Sequence, residues 1–457
     1  MQWRQSTCYW NLKQKTISHS KMNSYFMTPA PKQKGLDYSV IQEKIGKNTY
    51  KGLSSAVIYG PNASGKTNII GAMDTFRSII LRGNIRNDRD LINPNIASAR
   101  LELIPNNLSK NCEPSSFSIK FTEMNMLIEY SIIAVLGNFL DEDYPRKIIS
   151  ETLSVNEQMI FDRNGNLEIG SLDCIKDYLV NEFDKNKKYL TMVAKNNLID
   201  DELFLQQGFK SMFSSRLSGI ITEWLTNKFL TVISANALRL AIMVKNMKKD
   251  SVYINSIINN TAKHFGINSN ALGYLVKNDN NETTLCSVFD SEGKKVNMPA
   301  EHFESLGTIR FVNLFPLILE TLLNGNILAI DEFDASIHPI ALMNIINIFH
   351  NNDININHAQ LIFNTHNPIF LNKNLFRRDE IKFVERDDET HISIHYSLSD
   401  FGTSGLTGVR KNEDYMSNYF VDRYGAIKDI DFTPMVKQAL HIEEDSEEDY
   451  RRRTDNE

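Results

Sequence analysis

Gly60-Pro61-Asn62-Ala63-Ser64-Gly65-Lys66-Thr67 fits the pattern G-x-x-x-x-G-K-[ST], and the rest of the chain is read outward from it. Ser55-Ala56-Val57-Ile58-Tyr59 before it is a short apolar run of strand type. After it, Ile69, Ile70, Met73, Phe76, Ile79 and Ile80 recur near a 3.6-residue period, which predicts a helix to about Arg82. Strand, glycine-rich turn and helix are the setting in which backbone N–H groups turn inward and a helix start adds partial positive charge, so the turn cradles phosphate. Gly60, Pro61, Asn62, Ala63, Ser64, Gly65 and Asn68 are candidate cradle residues. Lys66 would reach the outer phosphates as a point charge, and the Thr67 hydroxyl would bind Mg²⁺.

Asn326-Ile327-Leu328-Ala329-Ile330-Asp331-Glu332 is an apolar run closed by two acids. A parallel strand buried on both faces reads this way, and acids at its carboxyl end face a ligand crevice. Asp331 is a candidate Mg²⁺ ligand, and Glu332 a candidate general base for an attacking water. Gln360-Leu361-Ile362-Phe363-Asn364-Thr365-His366 repeats the strand pattern and ends in polar residues. Glu304-Ser305-Leu306-Gly307-Thr308-Ile309-Arg310 begins a predicted helix. Ser305 and Gly307 there are either an anion site at a helix N-terminus or plain capping by Ser305, and both readings can hold together.

Gly60 to Asn68, Ser305-Leu306-Gly307-Thr308, Asp331-Glu332 with His338-Pro339, and Thr365-His366-Asn367 together resemble AAA-type ATPases of the ATP-binding-cassette branch, relatives of the overcoming-lysogenization-defect and RecF ATPases. Tyr419-Phe420-Val421-Asp422-Arg423-Tyr424-Gly425-Ala426-Ile427 resembles the closing signature of the same proteins, with Asp422 in place of a Gly and Lys428 in place of a Pro. The resemblance covers about residues 36 to 170 and 271 to 428. It implies an α/β fold: an ABC-type P-loop ATPase head, with a mixed core sheet flanked by helices, an antiparallel β subdomain and a helical insertion.

The same resemblance implies an ATPase that uses ATP and Mg²⁺, with Lys66, Glu332 and His366 in catalytic roles. Ser305 and Gly307, in a Ser-Leu-Gly-Thr segment that replaces the usual S-G-G core, would dock on nucleotide held by another copy, giving a homo-oligomer with composite ATP sites. Relatives such as the PARIS and RloA-like types act in anti-phage defence beside a TOPRIM-like partner, and the Septu type beside an HNH nuclease. The function implied is an ATP-dependent sensor or scaffold switch that answers a phage-encoded trigger and controls an effector protein, a TOPRIM-like or other nuclease. No acidic cluster of the TOPRIM kind follows Thr365 and no H-N-H motif is present, which disfavours a nuclease within this chain. The alternative is a RecF-like DNA-binding ATPase of repair or recombination, for which Lys185-Asn186-Lys187-Lys188 and Lys245-Asn246-Met247-Lys248-Lys249 are the basic patches.

Composition fits these expectations. The 457 residues are 42% hydrophobic and 23% charged, enough for a large core. A net charge of -6 provides no global basic field, which speaks mildly against the DNA reading. Cys8, Cys112, Cys174 and Cys286 lie far apart with no C-x-x-C pair, as suits a reducing cytosol. The apolar window Met126 to Leu140 is shorter than the roughly 20 residues of a membrane span, and no secretory leader pattern opens the chain. The expectation is a cytoplasmic protein with no membrane partner.

Along the chain, residues 1–170 are expected to form the N-terminal lobe of the head, with the phosphate loop and the antiparallel β subdomain. Residues 171–270 are expected to form a helical insertion or lid, because Ile175 to Val193, Leu203 to Phe213, Ile220 to Val244 and Val252 to Phe265 carry helical periodicity. Residues 271–440 would form the C-terminal lobe, with the Ser305 segment, the Asp331-Glu332 pair and His366. The charge run over 441–457 is expected to be a disordered tail.

Overall fold

The computed structural model describes residues 8–11, 27–31, 36–86, 114–136, 145–181, 183–233, 252–267, 269–277, 282–389, 392–405, 408–428 and 431–440. Strands are numbered along the chain. Ser55–Tyr59 is strand β4, buried at every residue. It lies inside a sheet with β10 (Phe229–Val232), β15 (Ile327–Ile330), β16 (Gln360–Asn364), β17 (Ile381–Arg386) and β18 (Ser393–Ser397), in the order β10-β15-β16-β4-β17-β18. The first five are parallel and β18 closes the sheet antiparallel to β17.

The period-2 alternation of β4 sorts its side chains between two cores. Ala56 and Ile58 face Ile70, Met73 and Phe76 of the helix Lys66–Arg82. Val57 and Tyr59 share the other core with Phe311, Leu314 and Ile318 of the helix Leu306–Asn324, and with Leu342, Ile345 and Ile346 of the helix Pro339–His350. Among the described residues Leu306–Asn324 is the one helix long and apolar enough to cross a membrane, and these contacts put part of it in the core.

Against the Lys66–Arg82 helix packs an antiparallel sheet of β1 (Cys8–Asn11), β5 (Ser115–Glu123), β6 (Met126–Val135), β7 (Lys147–Val155), β8 (Gln158–Asn164) and β9 (Asn166–Ile169). Phe76 joins the two layers by stacking on Phe117 and Tyr130, with ring centroids 5.4 and 6.2 Å apart. Strands β2 (Val40–Ile45) and β3 (Asn48–Leu53) form a separate hairpin, and β11 (Val252–Tyr253), β12 (Ala271–Lys277), β13 (Glu282–Ser291) and β14 (Lys294–Pro299) a four-stranded sheet. This is the expected α/β arrangement: a mixed core sheet between helices, antiparallel β structure beside it, and helices inserted between β9 and β10.

The insertion runs through the helices Phe183–Asn196 and Ser215–Asn227, with a π-helical turn at Leu205–Phe209. The helical window Ile220 to Val244 needs correction. The helix ends at Asn227, and Phe229–Val232 is strand β10, paired parallel to β15. Four residues, Phe-Leu-Thr-Val, cannot be told from a helix segment by periodicity alone, and parallel pairing with β15 decides for strand. Residues 234–251, with the basic patch Lys245–Lys249, and the tail 441–457 lie outside the described residues.

Glu151 of β7 fastens the insertion to the antiparallel sheet. It is fully buried and accepts hydrogen bonds from the Phe204 and Leu205 N–H groups at 2.7 and 2.8 Å and from the Tyr130 hydroxyl at 2.9 Å. Arg163 lies 3.6 Å away and itself donates to the carbonyls of Ile199 and Glu202. Burial still pushes the Glu151 carboxyl above its ordinary range. Glu151→Ala strands these donors in an interior that water does not reach. The expected loss is about 3 kcal/mol of stability, read as a lower urea midpoint with the insertion losing hydrogen-exchange protection first.

The chain closes over the core with the buried Tyr415, Tyr419 and Tyr424, the last two with their rings against Phe383. Asp422, which replaces a Gly in the resembling signature, adopts φ 57°, a left-handed conformation that Gly takes without strain.

Candidate nucleotide site

The site lies at the carboxyl ends of β4, β16 and β15, three neighbours in the sheet. The turn after β4 is shaped by three tight positions. Ala63 and Gly65 have left-handed φ of 62° and 105°, and a Cβ on Gly60 would collide with the Val384 carbonyl of β17. Two side chains of the β17–β18 hairpin hold the turn from behind. Ser393 Oγ donates to the Ser64 carbonyl at 2.7 Å, and Arg386 Nη1 to the Ala63 carbonyl at 3.2 Å. These carbonyls are therefore drawn toward the hairpin, an orientation compatible with N–H groups facing a phosphate.

The Lys66–Arg82 helix starts at the turn, with Gly65 as its N-cap. Lys66 is buried, and its ammonium donates to the carbonyls of Gly60 and Pro61 at 2.8 and 2.9 Å. Burial lowers its pKa to about 8, against the opposing pull of Asp331 and Glu332. Lys66 is thus an ammonium held over the turn by the turn's own carbonyls.

Next to it, Thr67 Oγ1 donates to Asp331 Oδ1 at 3.0 Å. Asn364, the last residue of β16, completes the cluster. Its Nδ2 donates to the same carboxylate oxygen, and its Oδ1 accepts from the Glu332 N–H at 2.6 Å. Because β16 sits between β4 and β15, Asn364 is the residue that spans from the turn's strand to the acids. Glu332 is exposed, with φ 48°, and its carbonyl accepts from the Arg310 guanidinium. His366 is also exposed, just past β16. Although the residue is exposed, partial desolvation of the ring and then the Lys66 charge push its pKa below the ordinary histidine range, against Asp334, Glu332 and Asp331, so the ring is neutral at neutral pH.

Lys66, Thr67, Asp331, Glu332 and His366 are thus brought to one place. Ser305 and Gly307 are not. Ser305 caps the Leu306–Asn324 helix by accepting from the Thr308 N–H at 3.1 Å. A Cβ on Gly307 would run into the Ser336 carbonyl. Leu306 between them is exposed. Among the described residues, no hydrogen bond ties this segment to the Gly60–Thr67 turn.

Thr67 and Asp331 fit Mg²⁺. The ion takes hard oxygen ligands at about 2.1 Å in an octahedron, so neighbouring ligands lie about 3.0 Å apart. The Thr67 hydroxyl and the Asp331 carboxylate oxygen already have that separation.

Asn364, Arg310 and Ser393 were not among the residues expected from sequence. Asn364 carried one local signal, as the polar residue that ends an apolar strand just before His366. The other two emerge only from packing.

Residues 55–155 and 180–372, well over half the chain, match the family described as AAA domain, putative AbiEii toxin, Type IV TA system. No curated protein matches the sequence. Among solved structures, the SMC head domain from Thermotoga maritima aligns at 13% identity and a TM-score of 0.33, over 78% of this chain and 96% of that one. An SmcHead bound to the C-winged helix domain of ScpA aligns at 12% identity and a TM-score of 0.31, over 79% and 98%. The Smc head domain with an extended coiled coil, bound to the C-terminal domain of ScpA derived from Pyrococcus furiosus, aligns at 12% identity and a TM-score of 0.32, over 79% and 96%.

Proposed function

The chain belongs to the family of AAA domains described as putative AbiEii toxin, Type IV TA system, and from that premise we propose that it is an ABC-type ATPase acting as an ATP-dependent switch. The observation that carries the reading is the meeting of Lys66, Thr67, Asp331, Glu332 and His366 at the ends of three adjacent parallel strands. Lys66 and the N–H groups of the turn bind the phosphates. Thr67 and Asp331 hold Mg²⁺, which when bound neutralises phosphate charge. Glu332 accepts the proton of the water that attacks the γ-phosphorus, ADP leaves, and inorganic phosphate forms. The neutral His366 ring donates a hydrogen bond to the same phosphate.

Ser305 and Gly307 stand at an exposed helix start, with no hydrogen bond to their own turn among the described residues. They dock on nucleotide held by a second copy, so that ATP stabilises a dimer or larger assembly and hydrolysis releases it. A switch of this kind suits control of an effector, a TOPRIM-like or other nuclease, in anti-phage defence of the PARIS or RloA-like type. The family's description as part of a toxin–antitoxin system is in keeping with a protein that works beside a partner.

The test is sedimentation of the full chain with and without ATP and Mg²⁺, alongside phosphate release. Nucleotide should shift the protein to a dimer or larger and phosphate should appear. An unchanged mass would sink the composite site, and absent phosphate release would sink the ATPase.

A further inference from the structure

Two non-glycine residues of the segment after β15 have left-handed backbones, Glu332 with φ 48° and Ser336 with φ 64°. Such conformations persist only where surroundings over-determine them. One helix, Leu306–Asn324, touches both. Gly307 packs on the Ser336 carbonyl so closely that no Cβ fits, and the buried Arg310 donates to the Glu332 carbonyl. Asn364 grips the other side of the same residue through the Glu332 N–H. Glu332 is therefore clamped at its N–H and its carbonyl while its carboxylate stays exposed.

We infer that Arg310 is a positioning residue, which aims the Glu332 carboxylate by holding its backbone and makes that aim depend on the seat of the Leu306–Asn324 helix. Arg310 lies five residues, about 7.5 Å of helix, from Ser305. A second copy's nucleotide docked at Ser305 and Gly307 therefore bears on the helix that sets this copy's own carboxylate. The inference rests on the reading of Glu332 as general base and of Ser305 and Gly307 as the docking segment.

The experiment is a double-mutant cycle on the full chain, with steady-state ATP turnover, ATP affinity and ATP-dependent assembly measured on each variant. Arg310→Ala should lower kcat by about tenfold or more, while ATP affinity and assembly stay within about threefold of the parent. Arg310→Lys, which keeps a donor, should recover part of the loss. Adding Arg310→Ala to Glu332→Gln should cost nothing further, because both act through one carboxylate. A merely structural role would instead add its loss in the double variant. Such additivity, or an unchanged kcat in Arg310→Ala, overturns the inference while leaving the base assignment standing. A wild-type rate in Glu332→Gln alone overturns the base assignment and the inference with it. Should Arg310→Ala fail to fold, Arg310→Gln carries the same comparison.

Discussion

Lys66→Ala is expected to weaken ATP binding severely. The alanine leaves no charge over the turn, and a charge-assisted contact to phosphate contributes roughly 3 kcal/mol, about a hundredfold in Kd. Equilibrium titration with a fluorescent ATP analogue measures it, and unchanged affinity would refute the turn as the phosphate site. The wild-type protein should also show a pH signature that the variant lacks. Burial lowers the pKa of free Lys66 to about 8, and bound phosphate must raise it. Affinity is then complete below pH 8 and is lost as pH rises from 8 toward the pKa of the complex, by up to about tenfold per pH unit. A flat wild-type profile between pH 7 and 9 would contradict that assignment of charge.

Glu332→Gln should behave in the opposite way. It keeps the size and the backbone clamp but cannot take a proton from water, so turnover should fall by about a hundredfold or more. Nucleotide affinity should change little, because Lys66, Thr67 and Asp331 are untouched. The ATP-bound assembly should outlive the wild-type one, read as a long-lived large species in size exclusion. A variant that turns over normally, or that fails to bind ATP, would contradict the role of Glu332.

The local half of the site was legible in the sequence. The strand Ser55–Tyr59, the turn and the helix Lys66–Arg82 follow from neighbouring residues alone, and the strand Ile327–Ile330 with Asp331 from a short apolar run. Strand order was not legible, because it is fixed by contacts between distant segments. Without knowing that β16 separates β4 from β15, nothing marks Asn364 as the bridge to Asp331, although the next register step beyond Ile330 and Phe363 sets the two side by side. Arg310 looked like one more helix residue because its partner is a backbone carbonyl, which leaves no trace in sequence. Strand β10 was hidden for a related reason. Its four residues become a strand only because β15 is there to pair with.

The grip of Ser393 and Arg386 on the phosphate turn joins residues more than three hundred positions apart in the chain. A ribosome completes the glycine-rich turn more than three hundred residues before it supplies the backing. Until Ser393 has emerged, the turn lacks the support that holds its carbonyls aside. Products that stop short of Ser393 thus carry the recognisable motif without the finished cradle.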